Sequence, residues 1–225
     1  MSCASGSRAV RPYPSGPPHL ELWAPDMQLT VLPLTPERMA DLDSVFRARG
    51  CSVAKNCYCM YYRRTGNPAG PKAGESRTSI NRDAIARLAE SETPPGLLGY
   101  RDGKPVGWVS LGPRTDFARL ANSPTMRGVD EWPVWSIVCF VVPSEYRKQG
   151  IAHELLAAAI DFARARGATL LEAYPVDRDA PEPPNASWFG SATMFAKAGF
   201  AEVARNRPTR PIVRLQVAGS RKAGA

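Results

Sequence analysis

Residues Trp132 to Val142 are apolar on both sides of an extended chain, and a helix-forming stretch, Ile151 to Arg166, begins only eight residues later. A strand with two apolar faces belongs at the centre of a sheet. The stretch that follows sets Ile151, Leu155, Leu156, Ala159 and Ile160 along one side, and that side has to cover the sheet. Together they confine the chain to α/β architectures. The connection, Pro143-Ser144-Glu145-Tyr146-Arg147-Lys148-Gln149-Gly150, is basic and ends in a glycine immediately before the helix. The first N–H groups of a helix have no partner within it and carry partial positive charge. An anion, phosphate or pyrophosphate, is therefore expected in this loop.

The remaining elements fall into place around that unit. Leu29 to Leu34 reads as a strand, and Pro33 sends it to an edge or makes it a strand end. Thr35-Pro36 is a helix start, with the helix running to about Ala48 and stopping at Gly50. A Cys/Tyr cluster and a Gly/Pro-rich loop fill residues 51–75. A second helix follows at about Asn81 to Glu92, with Ile80, Ala84, Ile85 and Leu88 on one face. Asp102-Gly103-Lys104 joins Leu97–Arg101 to Pro105–Leu111 as a hairpin. Residues 112–131 form a long polar connection suited to a substrate loop. Beyond the central helix, which Gly167 ends, come a strand at Thr169 to Tyr174 and a proline-rich loop at Pro175 to Asn185. A last helix at Ser187 to Ala198 and a closing pair, Phe200–Ala204 with Ile212–Val217, complete the chain.

Length, charge and cysteines narrow the classes. At 225 residues the chain can bury one full core. No run approaches the ~20 apolar residues of a membrane span, and the N-terminus lacks a signal-peptide pattern, so a cytoplasmic location is expected. Five cysteines without a secretion signal do not suggest a disulfide framework. Cys51, Cys57 and Cys59 cluster without a fourth ligand near, so no metal is expected and the thiols should pack as small apolar groups. The net charge of +8 is uneven, with +6 in residues 45–90 and +5 in residues 201–225, leaving −3 elsewhere. Such patches attract polyanions, which keeps nucleic acid among the partners without favouring it.

Arg147-x-x-Gly150-x-Ala152 after a strand resembles the acyl-CoA pyrophosphate loop of the GNAT superfamily of N-acetyltransferases, and the turn Ala198-Gly199-Phe200 strengthens the likeness. The order of elements over residues 28–217 is similar to that fold as well. The resemblance implies a mixed, mostly antiparallel α/β sheet with a V-shaped opening, flanked by about four helices. Residues 1–27 would be a proline-rich flexible leader and 218–225 a basic tail. It implies acetyl-CoA as co-substrate, held by backbone amides and side chains of Arg147, Lys148, Gln149, Gly150, Ile151, Ala152 and His153. The strand Val138 to Val142 would pair with the pantetheine arm, and an N–H near Phe140 or Val141 would polarise the thioester carbonyl.

Direct attack by a primary amine needs a base. Glu172, on the strand that faces the opening, is the candidate. Asp130 and Glu131 are placed to bind a cationic acceptor, and Glu145 to face the helix dipole. Many members of the family protonate the leaving thiolate with a tyrosine at the position of Phe195, and Phe195 cannot do so. Tyr174 is the nearest replacement, with Ser191 and Cys139 behind it. The family's usual asparagine is replaced by Trp188. Trp132, Trp135, Trp188 and Phe189 are candidates for an acceptor pocket. The acceptor is expected to be a small-molecule amine, acted on by a monomer or homodimer. A protein amine, an aminoacyl-tRNA donor or a non-catalytic acyl-CoA sensor are the alternatives.

Overall fold

In the computed structural model, which describes residues 29–65, 71, 73–177 and 188–217, seven strands form one sheet in the order β1-β2-β3-β4-β5-β7-β6. They are β1 (Thr30–Pro33), β2 (Gly96–Arg101), β3 (Lys104–Pro113), β4 (Trp135–Val141), β5 (Leu170–Ala173), β6 (Ala201–Arg207) and β7 (Arg210–Gln216). Every pairing is antiparallel except β4 with β5. The mixed sheet expected from the sequence is present, with β1 at its edge. The leader and the basic tail lie outside the described residues.

Six α-helices are present among those residues: α1 (Met39–Arg47), α2 (Ser52–Cys57), α3 (Arg77–Ala89), α4 (Ala118–Ala121), α5 (Ile151–Ala165) and α6 (Ala192–Lys197). Two of them, α2 and α4, are too short to show periodicity in a sequence, and both fall in stretches expected to be irregular. Helix α3 starts at Arg77 rather than Asn81 because Ser76 and Ser79 cap each other. Ser79 N–H donates to Ser76 Oγ at 3.0 Å and Ser76 N–H to Ser79 Oγ at 3.1 Å. Helix α6 starts at Ala192, later than expected. Gly190 holds φ +75 and Ser191 Oγ accepts from Met194 N–H at 3.2 Å, so the N-cap is at Ser191. The hairpin turn is as read, with Asp102 and Gly103 both at positive φ.

Helix α5 covers one face of the sheet. Its Leu155, Leu156, Ala159 and Ile160 pack on Val109, Leu111, Ile137, Phe140 and Leu171. Each such leucine or isoleucine, fully buried, stabilises by about 1.5–3 kcal/mol. The opposite face carries two clusters. Helices α1, α2 and α3 bring Phe46, Tyr58 and Ile85 onto Leu98, Trp108 and Val141. The β3–β4 connection brings Phe117, Leu120 and Met126 onto Val138, Tyr174 and Ile212.

Candidate functional site

The loop before α5 has the shape the sequence suggested, by a route that needs two left-handed residues. Lys148 has φ +61 and Gly150 has φ +84. Alternating backbone handedness turns successive N–H groups toward one concavity. Among the described residues no acceptor faces the amides of Lys148, Gln149, Gly150, Ile151 or Ala152. The His153 amide is turned into the helix and donates to Gly150 O at 2.8 Å. The glycine is there for its φ rather than for space, since a Cβ on Gly150 would meet nothing closer than Glu154 Oε1 at 3.9 Å.

Two side chains of the loop act differently from expectation. Arg147 donates to Val142 O at 3.0 Å and to Gly50 O at 2.7 Å, so it pins the loop to the end of β4 and to the turn after α1. Gln149 donates to Glu145 O at 2.7 Å and accepts from Arg101 at 2.9 Å. Both side chains are thus engaged in shaping the loop. The Glu154 carboxylate in the first helical turn is occupied by the Leu29 amide at 2.7 Å and by Arg101 at 3.7 Å.

Strand β4 supplies the opening. It pairs with β5 only at Trp135, Ser136 and Ile137, and no pairing with β5 is made from Val138 to Val141. On the β3 side the register shifts between Ser110↔Cys139 and Leu111↔Ile137, which makes Val138 the extra residue of a bulge. In a regular strand consecutive side chains point to opposite faces. Here Val138 and Cys139 line the same cleft, and Phe140 turns back to the α5 face. The bulge therefore presents two adjacent residues at the mouth of the slot.

One polar cluster ties the diverging strands together. Ser136, Glu172 and Arg214 share a rung across β4, β5 and β7. Tyr174 stands two residues along from Glu172 on the same face. Glu172 is fully buried, and its oxygens take four donors. Arg114 Nη1 and the Tyr174 hydroxyl (2.6 Å) meet Oε1, and Arg214 Nε and Nη2 meet Oε2, each at 2.8 Å. A carboxylate offers about four acceptor sites, so this one is saturated. Ser136 Oγ lies 2.9 Å from the Tyr174 hydroxyl. Burial first, then the Glu172 charge, push that phenol well above its ordinary pKa. Arg214 also pairs with Asp130, at 2.6 and 3.0 Å, and this hydrogen bonding holds the Asp130 carboxyl below its usual value. Asp130 is thus part of the cluster rather than a site for a cationic acceptor.

Next to the bulge lies a cleft of about 730 Å³. Its floor is Ala54, Cys59, Met60, Asn81 and Val138, all buried. The half-buried wall contains Cys57, Tyr62, Cys139, Trp188 and Phe189, and the outer edge contains Tyr61, Arg64, Arg77 and Arg119. The rings are stacked edge to face, Tyr61 on Tyr62 at 4.9 Å and Tyr62 on Phe189 at 5.9 Å. Arg119 caps the row 4.2 Å above Tyr61. Burial pushes the Cys57 thiol up to about 11, with Cys59 adding to the shift, and raises the Tyr62 phenol. Hydrogen bonding with Cys59 and burial raise the Cys139 thiol. All three groups keep their protons at neutral pH.

Of the tryptophans and phenylalanine expected to line a pocket, Trp188 and Phe189 do so. Trp132 is 68% exposed, and Trp135 packs on Phe162 on the opposite face. Phe195 is a core residue between Phe140 and Phe200, with no donor to offer. Glu172 and Tyr174 are not among the residues lining the cleft. Sequence reading missed Arg114, Arg214, Ser136, Asn81 and the arginines of the outer edge. The one available signal was the aromatic pair Tyr61-Tyr62 directly after a three-cysteine stretch. Among the described residues no three His, Cys, Asp or Glu side chains are grouped to hold a metal ion.

No curated protein matches the chain in sequence. The N-acetyltransferase from Staphylococcus aureus Mu50 aligns over 85% of this chain and 99% of its own, at 15% identity and a TM-score of 0.50. The ribosomal-protein-S18-alanine N-acetyltransferase from Escherichia coli aligns over 88% and 99%, at 15% identity and a TM-score of 0.47. A chain of the NatC complex bound to Gag peptide and CoA aligns over 84% and 99%, at 13% identity and a TM-score of 0.47. At such identities the likeness is one of fold. The sequence model described as acetyltransferase (GNAT) family matches residues 54–182, more than half of the chain and including β4, the loop and α5. The chain therefore belongs to the GNAT acetyltransferase family.

Proposed function

We propose that this protein is an N-acetyltransferase that moves an acetyl group from acetyl-CoA to the primary amine of a small molecule, by direct attack in a ternary complex. The observation that carries the reading is the row of amides from Lys148 to Ala152 without internal acceptors, beside a strand whose far edge stops pairing at Ile137. Two left-handed residues and a helix N-terminus suit a diphosphate. Bound there, acetyl-CoA supplies an acyl group already activated toward amines. The open edge of Val138 to Val141 offers strand-like pairing to an extended arm, and an N–H near Phe140 or Val141 is the oxyanion donor. The amine enters from the cleft, across Val138 and Cys139.

No carboxylate or imidazole lines the cleft among the described residues. We therefore assign proton removal to water in the cleft rather than to Glu172, which would have to release a guanidinium first. In this reading Glu172 and Tyr174 are positioning residues, holding β5 and β7 at the angle that opens the slot, and the leaving thiolate takes its proton from solvent. No helix among the described residues is long and apolar enough to cross a membrane. A cytoplasmic setting is part of the proposal, and it suits the four unbridged thiols Cys51, Cys57, Cys59 and Cys139.

Calorimetry with acetyl-CoA, paired with detection of thiol release over an amine panel, tests the reading. Gly150→Glu should lower affinity by about 100-fold or more, because it sets a negative side chain at the phosphate site and strains φ +84. Gly150→Ala, which adds only the backbone strain of about 1 kcal/mol, should bind far better than the glutamate variant. Unchanged affinity in a folded Gly150→Glu protein would place the cofactor elsewhere. Tight binding with no thiol release for any amine would leave a binding module without turnover.

A further inference from the structure

The cleft is electrically one-sided. Arg64, Arg77 and Arg119 contribute to its outer edge, and among the described residues no Asp or Glu lines it. These arginines belong to or lie near a segment, residues 45–90, that carries +6 overall. A cleft built for a polyamine or another polycation would need carboxylates where these guanidiniums stand, since like charges at contact range repel.

Its inner end has a different polarity. Asn81 is 6% exposed and donates through Nδ2 to Asn56 O at 2.7 Å, which fixes the orientation of its carboxamide. Asn81 Oδ1 is buried at the floor and has no partner among the described residues. The buried indole Nε1 of Trp188 has none among them either. Buried polar atoms are nearly always satisfied, so an acceptor and a donor left open in one cleft await a ligand or water. Between floor and edge the wall is largely aromatic, with Tyr62, Trp188 and Phe189 lining it and Tyr62 edge to face on Phe189.

Resting on the acetyl-transfer reading above, we infer that the acceptor is a flat, apolar or aromatic primary amine that carries a carboxylate at the end remote from its nitrogen. The nitrogen goes inward, where Asn81 Oδ1 accepts one of its hydrogens and the bulged strand at Val138 and Cys139 stands beside it. The body lies against the aromatic wall. The carboxylate stays at the outer edge with the arginines, whose planar donors match it. Asn81 is a positioning residue, and the arginines set specificity.

A matched series isolates the charge: 4-(aminomethyl)benzoate, its methyl ester, and 1,4-bis(aminomethyl)benzene. Binding is read by tryptophan fluorescence in the presence of CoA, and turnover by thiol release with acetyl-CoA. The acid should bind roughly tenfold tighter than the ester, with the diamine weakest. The gap should narrow at high salt and close in the Arg64→Gln/Arg77→Gln variant, which should still bind acetyl-CoA as the parent does. Asn81→Ala should weaken acid and ester alike. Equal binding of acid and ester, preference for the diamine, or failure of all three to bind each overturns the inference. Selective binding of the acid without thiol release from any amine would instead defeat the acetyl-transfer reading and leave the cleft's preference standing.

Discussion

Replacing Glu172 by glutamine asks whether the buried cluster holds the site open or performs the chemistry. Glutamine keeps the shape and removes the charge. It also turns an N–H₂ toward guanidinium groups that have only donors. Glu172 is 0% exposed and Arg214 1% exposed, and without Glu172 the single carboxylate of Asp130 is left facing two guanidiniums, Arg114 and Arg214, so one positive charge of the cluster goes uncompensated. Breaking a buried pair in this way costs about 3–5 kcal/mol. For a domain of this length 1 kcal/mol shifts Tm by roughly 2–4 °C, so the expected loss is on the order of 6–20 °C. Thermal melts followed by circular dichroism measure it directly. Adding Arg214→Met to Glu172→Met should recover part of the loss, because the two sites are in contact and their effects will not add. Well below its Tm, the Glu172→Gln protein should keep the acidic limb of the kcat/KM profile, which with water as the proton acceptor reports deprotonation of the amine itself. A Tm within 2 °C of the parent would refute the claim that this cluster organises β4, β5 and β7. Loss of the limb in a stable variant would make Glu172 the base after all.

Tyr174 gives a test at the opposite end of the pH scale. Its folded pKa is raised, so the neutral phenol contributes stability that is present below the ordinary value of 10 and is lost as pH climbs toward the folded value. Alkaline denaturation should therefore be less steep in Tyr174→Phe than in the parent, and identical slopes would show that the phenol is not held as described. Arg147→Ala removes two charge-assisted hydrogen bonds, to Gly50 O and Val142 O, each worth about 1.5–3 kcal/mol at most. Acetyl-CoA affinity should fall modestly through loosening of the loop, with the salt dependence of binding little changed. A steep loss of that salt dependence would mean that Arg147 meets the phosphates directly.

Where the sequence reading succeeded, the signal was local. The two-faced apolar run at β4, the amphipathic stretch of α5 and the Asp102-Gly103 turn each follow from spacings of a few residues. So does the turn before α5, because a glycine before a helix fixes both its handedness and its free amides. The reading faltered at α2, whose six residues complete less than two turns, and at α6, where aromatic residues before Gly190 looked like helix. It also gave Glu172 and Asp130 independent tasks, when both answer to Arg214.

The amino-acid order alone determined a mixed sheet, the place of its central strand and the glycine turn at the head of α5, since all three depend on neighbours in the chain. Only the tertiary structure decided which faces the diverging strands present and which side chains line the cleft beside them. A one-residue bulge at Val138 reverses the alternation of side chains, and no local pattern announces it. Arg114, Glu172 and Arg214 are brought together from separate parts of the chain, and the cleft draws its wall from segments as distant as Tyr61 and Trp188. Charges become partners or obstacles only once the fold has set their distances, because electrostatic and hydrogen-bonding energies depend on separation and burial rather than on position in the chain.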